Sequence, residues 1–165
     1  MDLAVGSDGW AVWNGRRLQC ALGRGGVKSD KREGDGASPA GSFLMRRVLY
    51  RSDREARPVT KLSARALALA DGWCDDPADP AYNRSVVLPY KARAEKLWRA
   101  DRLYDLVVPL GYNDDPVQPG RGSAIFLHLA RNDYGPTEGC IALKRADLLA
   151  LLAEADAASR VKITL

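Results

Sequence analysis

The sequence holds one histidine, His128, and three cysteines, Cys20, Cys74 and Cys140. The stretch from His128 to Leu143, HLARNDYGPTEGCIAL, places Cys140 twelve residues after the imidazole. A thiol is mostly protonated at neutral pH, and a nearby imidazole that takes its proton creates a nucleophile for acyl transfer through a thioester. Gly139 permits close backbone approach and an unusual φ, so the N–H groups of Gly139 and Cys140 are candidates to face an incoming carbonyl oxygen. The same spacing also fits a histidine that caps a strand and a cysteine that is an inert core thiol.

Three Cys and one His suffice by count for a zinc site, but no CxxC or similar close spacing assembles one, so no metal and no cofactor is expected. An odd cysteine count leaves at least one thiol unpaired. Cys20 and Cys74 read either as a disulfide or as buried reduced thiols.

The elements that must carry these groups are mostly strands. Leu3 to Val5, Trp10 to Trp13 and Arg17 to Leu22 are short apolar runs, the last two separated by Asn14-Gly15, which predicts an opening antiparallel meander with a tight turn. Residues 23–42 are Gly-rich and nearly devoid of apolar side chains, a long loop. Phe43 to Tyr50 reads as a strand, residues 62–70 remain open between strand and helix, and Gly72 to Tyr82 reads as a second loop. Pro89 is placed to start a short helix through Trp98, with Glu95 and Arg99 as an i,i+4 pair. Leu103 to Leu110 and Ser123 to Leu129 are expected strands. The run Ala124-Ile125-Phe126-Leu127 is apolar on both faces, the mark of a central strand, with His128 at its end. Lys144 to Ala155 reads as an amphipathic helix with Leu148, Leu149 and Leu152 on its buried face, and Val161 to Thr164 as a closing strand.

Composition bounds the rest. The chain has 165 residues, 46% hydrophobic and 28% charged, which fits one globular domain over residues 1–165 and excludes a disordered or fibrous chain. No run reaches the roughly 18 apolar residues of a membrane span, and the N-terminus carries no basic and apolar export signal. The net charge of +4 is concentrated in residues 1–65, with 13 basic and 7 acidic side chains. Such a bias can attract anionic polymers, but no nucleic-acid motif accompanies it and no nucleic-acid partner is expected.

His128 and the segment Thr137-Glu138-Gly139-Cys140-Ile141-Ala142-Leu143, with GDGASPAGSF at 34–43, GWCDDP at 72–77, Tyr82-Asn83 and GSAIFLH at 122–128, resemble the YkuD-type L,D-transpeptidase catalytic domain. That resemblance implies a mainly β fold with one or two helices, a YkuD-like β-sandwich. It implies a cysteine enzyme acting on peptidoglycan stem peptides, hence a periplasmic location. In such enzymes the cysteine attacks the carbonyl of an L-residue followed by a D-residue, releases the D-amino acid, and passes the acyl group to a diaminopimelate amine. The products are 3-3 or 1-3 cross-links; the alternatives are an L,D-carboxypeptidase or a non-catalytic peptidoglycan-binding module.

Carried over by position, Cys140 is the nucleophile, His128 the base, Leu129 the residue whose carbonyl orients the imidazole, and Gly139 with Cys140 the oxyanion donors. Arg131, Trp73, Asp76, Tyr82, Asn83 and Thr137 are expected to line the substrate cleft, and Lys31 and Arg32 to meet stem carboxylates or form a solvated turn. The chain departs from the common Ser-His-Gly-Cys pattern. Glu138 stands where most members carry a second histidine, Ala142 where Arg or Asn is usual, and the loop from His128 to Cys140 is short.

Overall fold

The computed structural model describes residues 1–165 and has fifteen strands and one helix. The chain opens with β1 (Asp2–Val5), β2 (Trp10–Trp13) and β3 (Arg16–Ala21), an antiparallel meander. Leu3, Val5, Ala11, Trp13, Leu18 and Cys20 are buried while their neighbours face solvent, the period of two that a half-buried sheet imposes. Asn14 and Gly15 have φ of 49° and 74°, the two positive values that a primed hairpin turn needs.

The chain continues through β4 (Val27–Lys28), β5 (Ser38–Pro39), β6 (Gly41–Leu44), β7 (Val48–Tyr50), β8 (Ala64–Ala66), β9 (Asp71–Cys74), β10 (Ser85–Val87) and β11 (Ala94–Lys96). It ends with β12 (Leu106–Pro109), β13 (Phe126–Leu129), β14 (Ile141–Leu143), α1 (Arg145–Glu154) and β15 (Arg160–Ile163). Ten strands form one mixed sheet in the order β6-β15-β1-β2-β3-β14-β13-β12-β7-β8. β6 lies at one edge and β7 next to the other edge, yet only residues 45–47 join them. A linker of that length spans on the order of 10 Å, so the sheet curls until its ends meet. Met45 closes the seam: it bridges to Leu110 and donates its N–H to the Ser159 carbonyl at 3.0 Å. The result is the mainly β, sandwich-like architecture that the sequence implies.

The larger apolar core fills the inside of the curl with Leu127, Leu129, Ile141 and Leu143, covered by α1. That helix has no side-chain cap at Lys144 and is held by Leu148, Leu151 and Leu152, each worth about 1.5–3 kcal/mol of burial. Leu151, rather than the expected Leu149, completes the buried face. A second, smaller cluster on the opposite side of the central strands joins Leu49, Trp73, Val107, Phe126 and Cys140. β12, β13 and β14 are thus covered on both faces; the strand expected over Ser123 to Leu129 begins only at Phe126, because Ala124 takes a φ of 54°.

Several local expectations are corrected. No helix forms at 89–98; Ala94–Lys96 instead pairs with β9, and Leu97 is buried. An exposed i,i+4 pair contributes only about 0.2–0.5 kcal/mol, less than a ladder plus a buried leucine. Residues 71–74 are not loop but the middle strand of a three-stranded sheet, because Gly72, Trp73 and Cys74 are all buried and the Asp-Pro run starts only at residue 75. The single strand expected over Phe43 to Tyr50 is broken at 45–47, where the chain passes from β6 to β7. The 23–42 loop carries the short parallel ladder of β4 and β5, and the undecided 62–70 segment contains β8. All three cysteines are free thiols, so Cys20 and Cys74 are not bridged.

Candidate active site

β13 and β14 run parallel, with His128 opposite Ala142. Side chains alternate along each strand, so Phe126 and His128 share one face with Ala142 and with Cys140 at the head of β14. Leu127, Leu129, Ile141 and Leu143 share the other face, inside the main core. The first face opens into a cavity of about 250 Å³ lined by His128, Cys140, Thr137, Glu95, Tyr104 and Arg131 among others.

His128 is 4% exposed, and its Nδ1 lies 2.9 Å from the Leu129 carbonyl oxygen. A carbonyl only accepts, so Nδ1 carries the proton and Nε2 keeps its lone pair. The Tyr104 ring stands edge-on to the imidazole at 5.2 Å. Burial pushes His128 down to about 4, the Leu129 hydrogen bond opposing it, so the ring is neutral at neutral pH.

Cys140 Sγ accepts from the Phe126 N–H at 3.3 Å and donates to the Ala124 carbonyl at 3.3 Å. Burial, reinforced by the nearby Glu95 carboxylate, pushes the thiol up to about 12. The resting pair is therefore a neutral thiol and a neutral imidazole, not an ion pair. For such a pair to act as nucleophile and base, proton transfer would have to accompany attack on a carbonyl.

The backbone around the thiol is tightly specified. Gly139 has φ of 134°, and a Cβ there would lie 2.8 Å from the Ala37 carbonyl oxygen. Thr137 Oγ1 donates to the Cys140 carbonyl at 2.6 Å and accepts from the Gly139 N–H at 3.1 Å. The Gly139 N–H is thereby committed, which corrects its expected place as an oxyanion donor. The Cys140 N–H has no protein acceptor. Ser38 Oγ donates to the Gly139 carbonyl at 2.8 Å and accepts from the Gly23 N–H at 2.9 Å.

The YkuD model, the L,D-transpeptidase catalytic domain, matches residues 3–163. The chain belongs to the YkuD family. The crystal structure of the helical cell shape determining protein Pgp2 from Campylobacter jejuni is similar, with TM-score 0.47, 15% identity, and a match over 98% of this chain and 46% of that one. The present chain thus spans about half the length of that relative. No curated protein matches the sequence.

Within this YkuD domain the remaining expected site residues divide. Thr137 and Arg131 line the cavity. Trp73, Asp76, Tyr82 and Asn83 do not line it. Trp73 packs edge-on against Phe126 at 5.2 Å and donates Nε1–H to Asn83 Oδ1 at 3.0 Å. Asn83 Oδ1 also accepts from the Ala124 N–H at 3.0 Å, and its Nδ2 donates to the carbonyls of Tyr112 and Asn113. Tyr82 donates its hydroxyl to Glu33 and accepts from the Gly122 N–H, while Asp76 closes a turn onto the Ala78 N–H. Trp73, Tyr82 and Asn83 thus support the residues that line the cavity, and Asp76 serves only its local turn. Lys31 is buried against Asp35 at 2.9 Å and Arg32 is paired with Asp30, so neither is a free cation for a stem carboxylate. Glu138 is exposed and ion-paired with Arg24 at 2.9 Å.

Ser38, Glu95, Tyr104 and Arg99 belong to the site, although the sequence marks none of them as a site residue and reads Glu95 and Arg99 only as a helical pair. Ser38 lies within the GDGASPAG segment, which is a usable signal. Only the fold brings Tyr104 against His128 and Glu95 into the same cavity.

Proposed function

We propose that the chain is a single catalytic domain, a cysteine L,D-transpeptidase acting on peptidoglycan stem peptides in the periplasm. Cys140 Sγ attacks the carbonyl carbon of the L-residue in an L-D bond while His128 Nε2 takes the thiol proton. The developing oxyanion is met by the Cys140 N–H, which is engaged by no acceptor within the protein. The C–N bond breaks, His128 returns the proton to the departing D-amino acid, and a thioester remains on Cys140. An amine of a second stem then attacks that thioester and releases the thiol, giving a 3-3 or 1-3 cross-link.

The observation that carries this reading is the placement of Cys140 and His128 on one sheet face and around one cavity, with the imidazole tautomer fixed by Leu129. The test is incubation with purified disaccharide-peptides followed by mass spectrometry. Cross-linked dimers, a transient mass increase on Cys140 and loss of both in Cys140→Ala are expected. Trimmed monomers without dimers would make it an L,D-carboxypeptidase, and unchanged muropeptides would leave a binding module.

A further inference from the structure

The transfer half-reaction poses a proton problem that Cys140 and His128 do not solve. An alkyl amine arrives at neutral pH as an ammonium and has no lone pair until one proton leaves. His128 is neutral when the thioester forms, and its single vacancy at Nε2 is needed for the second proton, lost as the amide bond closes. A second base in the cavity would let the ammonium react without first losing its proton to bulk water.

We propose that Glu95 is the catalytic residue that takes the first proton from the acceptor ammonium, and so favours an amine over water as the acceptor. Glu95 lines the same cavity as Cys140 and His128. It is set there by pairing of β11 with β9, opposite Trp73. The Tyr104 hydroxyl donates to its Oε1, and the Tyr104 ring in turn rests edge-on to His128. One carboxyl oxygen is thus held by a residue whose ring packs against the imidazole, and the other has no protein hydrogen bond. Burial raises the affinity of Glu95 for a proton, while the Tyr104 hydrogen bond and Arg99 oppose it and Asp75 and Glu33 reinforce it. A carboxylate so placed is a stronger base than one in water, and it attracts an ammonium.

The balance closes. Glu95 carboxylate and R–NH3⁺ give the carboxylic acid and R–NH2. The amine attacks the thioester carbon, the C–S bond breaks, and His128 Nε2 carries a second N–H proton to the Cys140 sulfur while the amide keeps the third. The products are the amide, the thiol and a neutral imidazole, and Glu95 releases its proton to water.

This inference rests on the proposed acyl transfer, and the experiment separates the two. Glu95→Gln is given a stem-peptide donor with a diaminopimelate-bearing acceptor, and the ratio of cross-linked to hydrolysed product is measured per acyl-enzyme formed. That ratio is expected to fall at least about tenfold at pH 7 and to recover toward pH 10 as the acceptor amine deprotonates unaided. With hydroxylamine, an acceptor already unprotonated at pH 7, the ratio is expected to match the wild-type value. An unchanged ratio with the stem acceptor would overturn the proposal. So would an equal loss with hydroxylamine, or failure of Glu95→Gln to form an acyl-enzyme at all. Absence of an acyl-enzyme in the wild-type protein would instead remove the transpeptidase reading.

Discussion

Ser38 Oγ donates a hydrogen bond to the Gly139 carbonyl at 2.8 Å across 101 positions of sequence. The Gly139 carbonyl and the Cys140 N–H belong to one peptide plane and point in opposite directions. Fixing the oxygen on one side therefore orients the N–H on the other side, the donor assigned to the oxyanion in the proposed reaction.

Ser38→Ala removes both of its bonds and leaves the Gly139 carbonyl and the Gly23 N–H buried without partners. A loss of about 1–3 kcal/mol of stability is expected in urea unfolding. Acyl-enzyme formation should slow by about tenfold or more in the folded variant, because the amide donor loses its orientation. Wild-type acylation kinetics would show that this peptide needs no such anchor.

Gly139→Ala places a methyl group 2.8 Å from the Ala37 carbonyl oxygen at a φ of 134°. Both effects act in the same direction, so a stability loss above about 2 kcal/mol and displacement of the thiol are expected. Thermal unfolding combined with acyl-enzyme mass measurement checks both.

Asn83→Ala tests whether that residue supports the wall or meets substrate. Its side chain holds the Trp73 indole, the Ala124 N–H and two carbonyls. Loss of about 3 kcal/mol or more is expected from this buried network. A variant with native stability and a raised KM would assign Asn83 to substrate instead.

The pH dependence of stability follows from the buried pair. His128 falls from 6.5 to about 4 on folding, so between those values the unfolded chain binds more protons than the folded one. Stability contributed by this site is then fully present above pH 6.5 and is lost as pH falls toward 4, by roughly 3 kcal/mol. Cys140 rises from 9.0 to about 12, so on the alkaline side stability is lost as pH climbs through that window. Chemical denaturation of wild type and His128→Gln between pH 4 and 7 isolates the acid contribution, which should be missing from the variant. The acid limb of activity is likewise expected below the 6.5 of a free imidazole.

Much of the site was legible because it is written in local pattern. The apolar run at 124–127 required a central strand, and a strand covered on both faces has to present His128 to one side with Leu127 and Leu129 on the other. The Asn14-Gly15 turn was equally local. What could not be read depended on distant partners. Pro89 and the Glu95/Arg99 spacing mimicked a helix, but the neighbouring β9 recruited Ala94–Lys96 as a strand and thereby put Glu95 into the cavity. Trp73, Tyr82 and Asn83 had the polar and aromatic character of a binding wall, and the fold uses that character for internal hydrogen bonds. Ser38 acquires its place only when the 34–41 segment folds against Gly139.

The high proton affinity of Cys140, about 12 in its buried setting, also bears on the chemistry of the protein between turnovers. Peroxides, alkylating agents and foreign disulfides all react with the thiolate, and a sulfur this reluctant to ionise offers them almost none. In the proposed reaction, that would shield the thiol from damage until an acyl donor engages it.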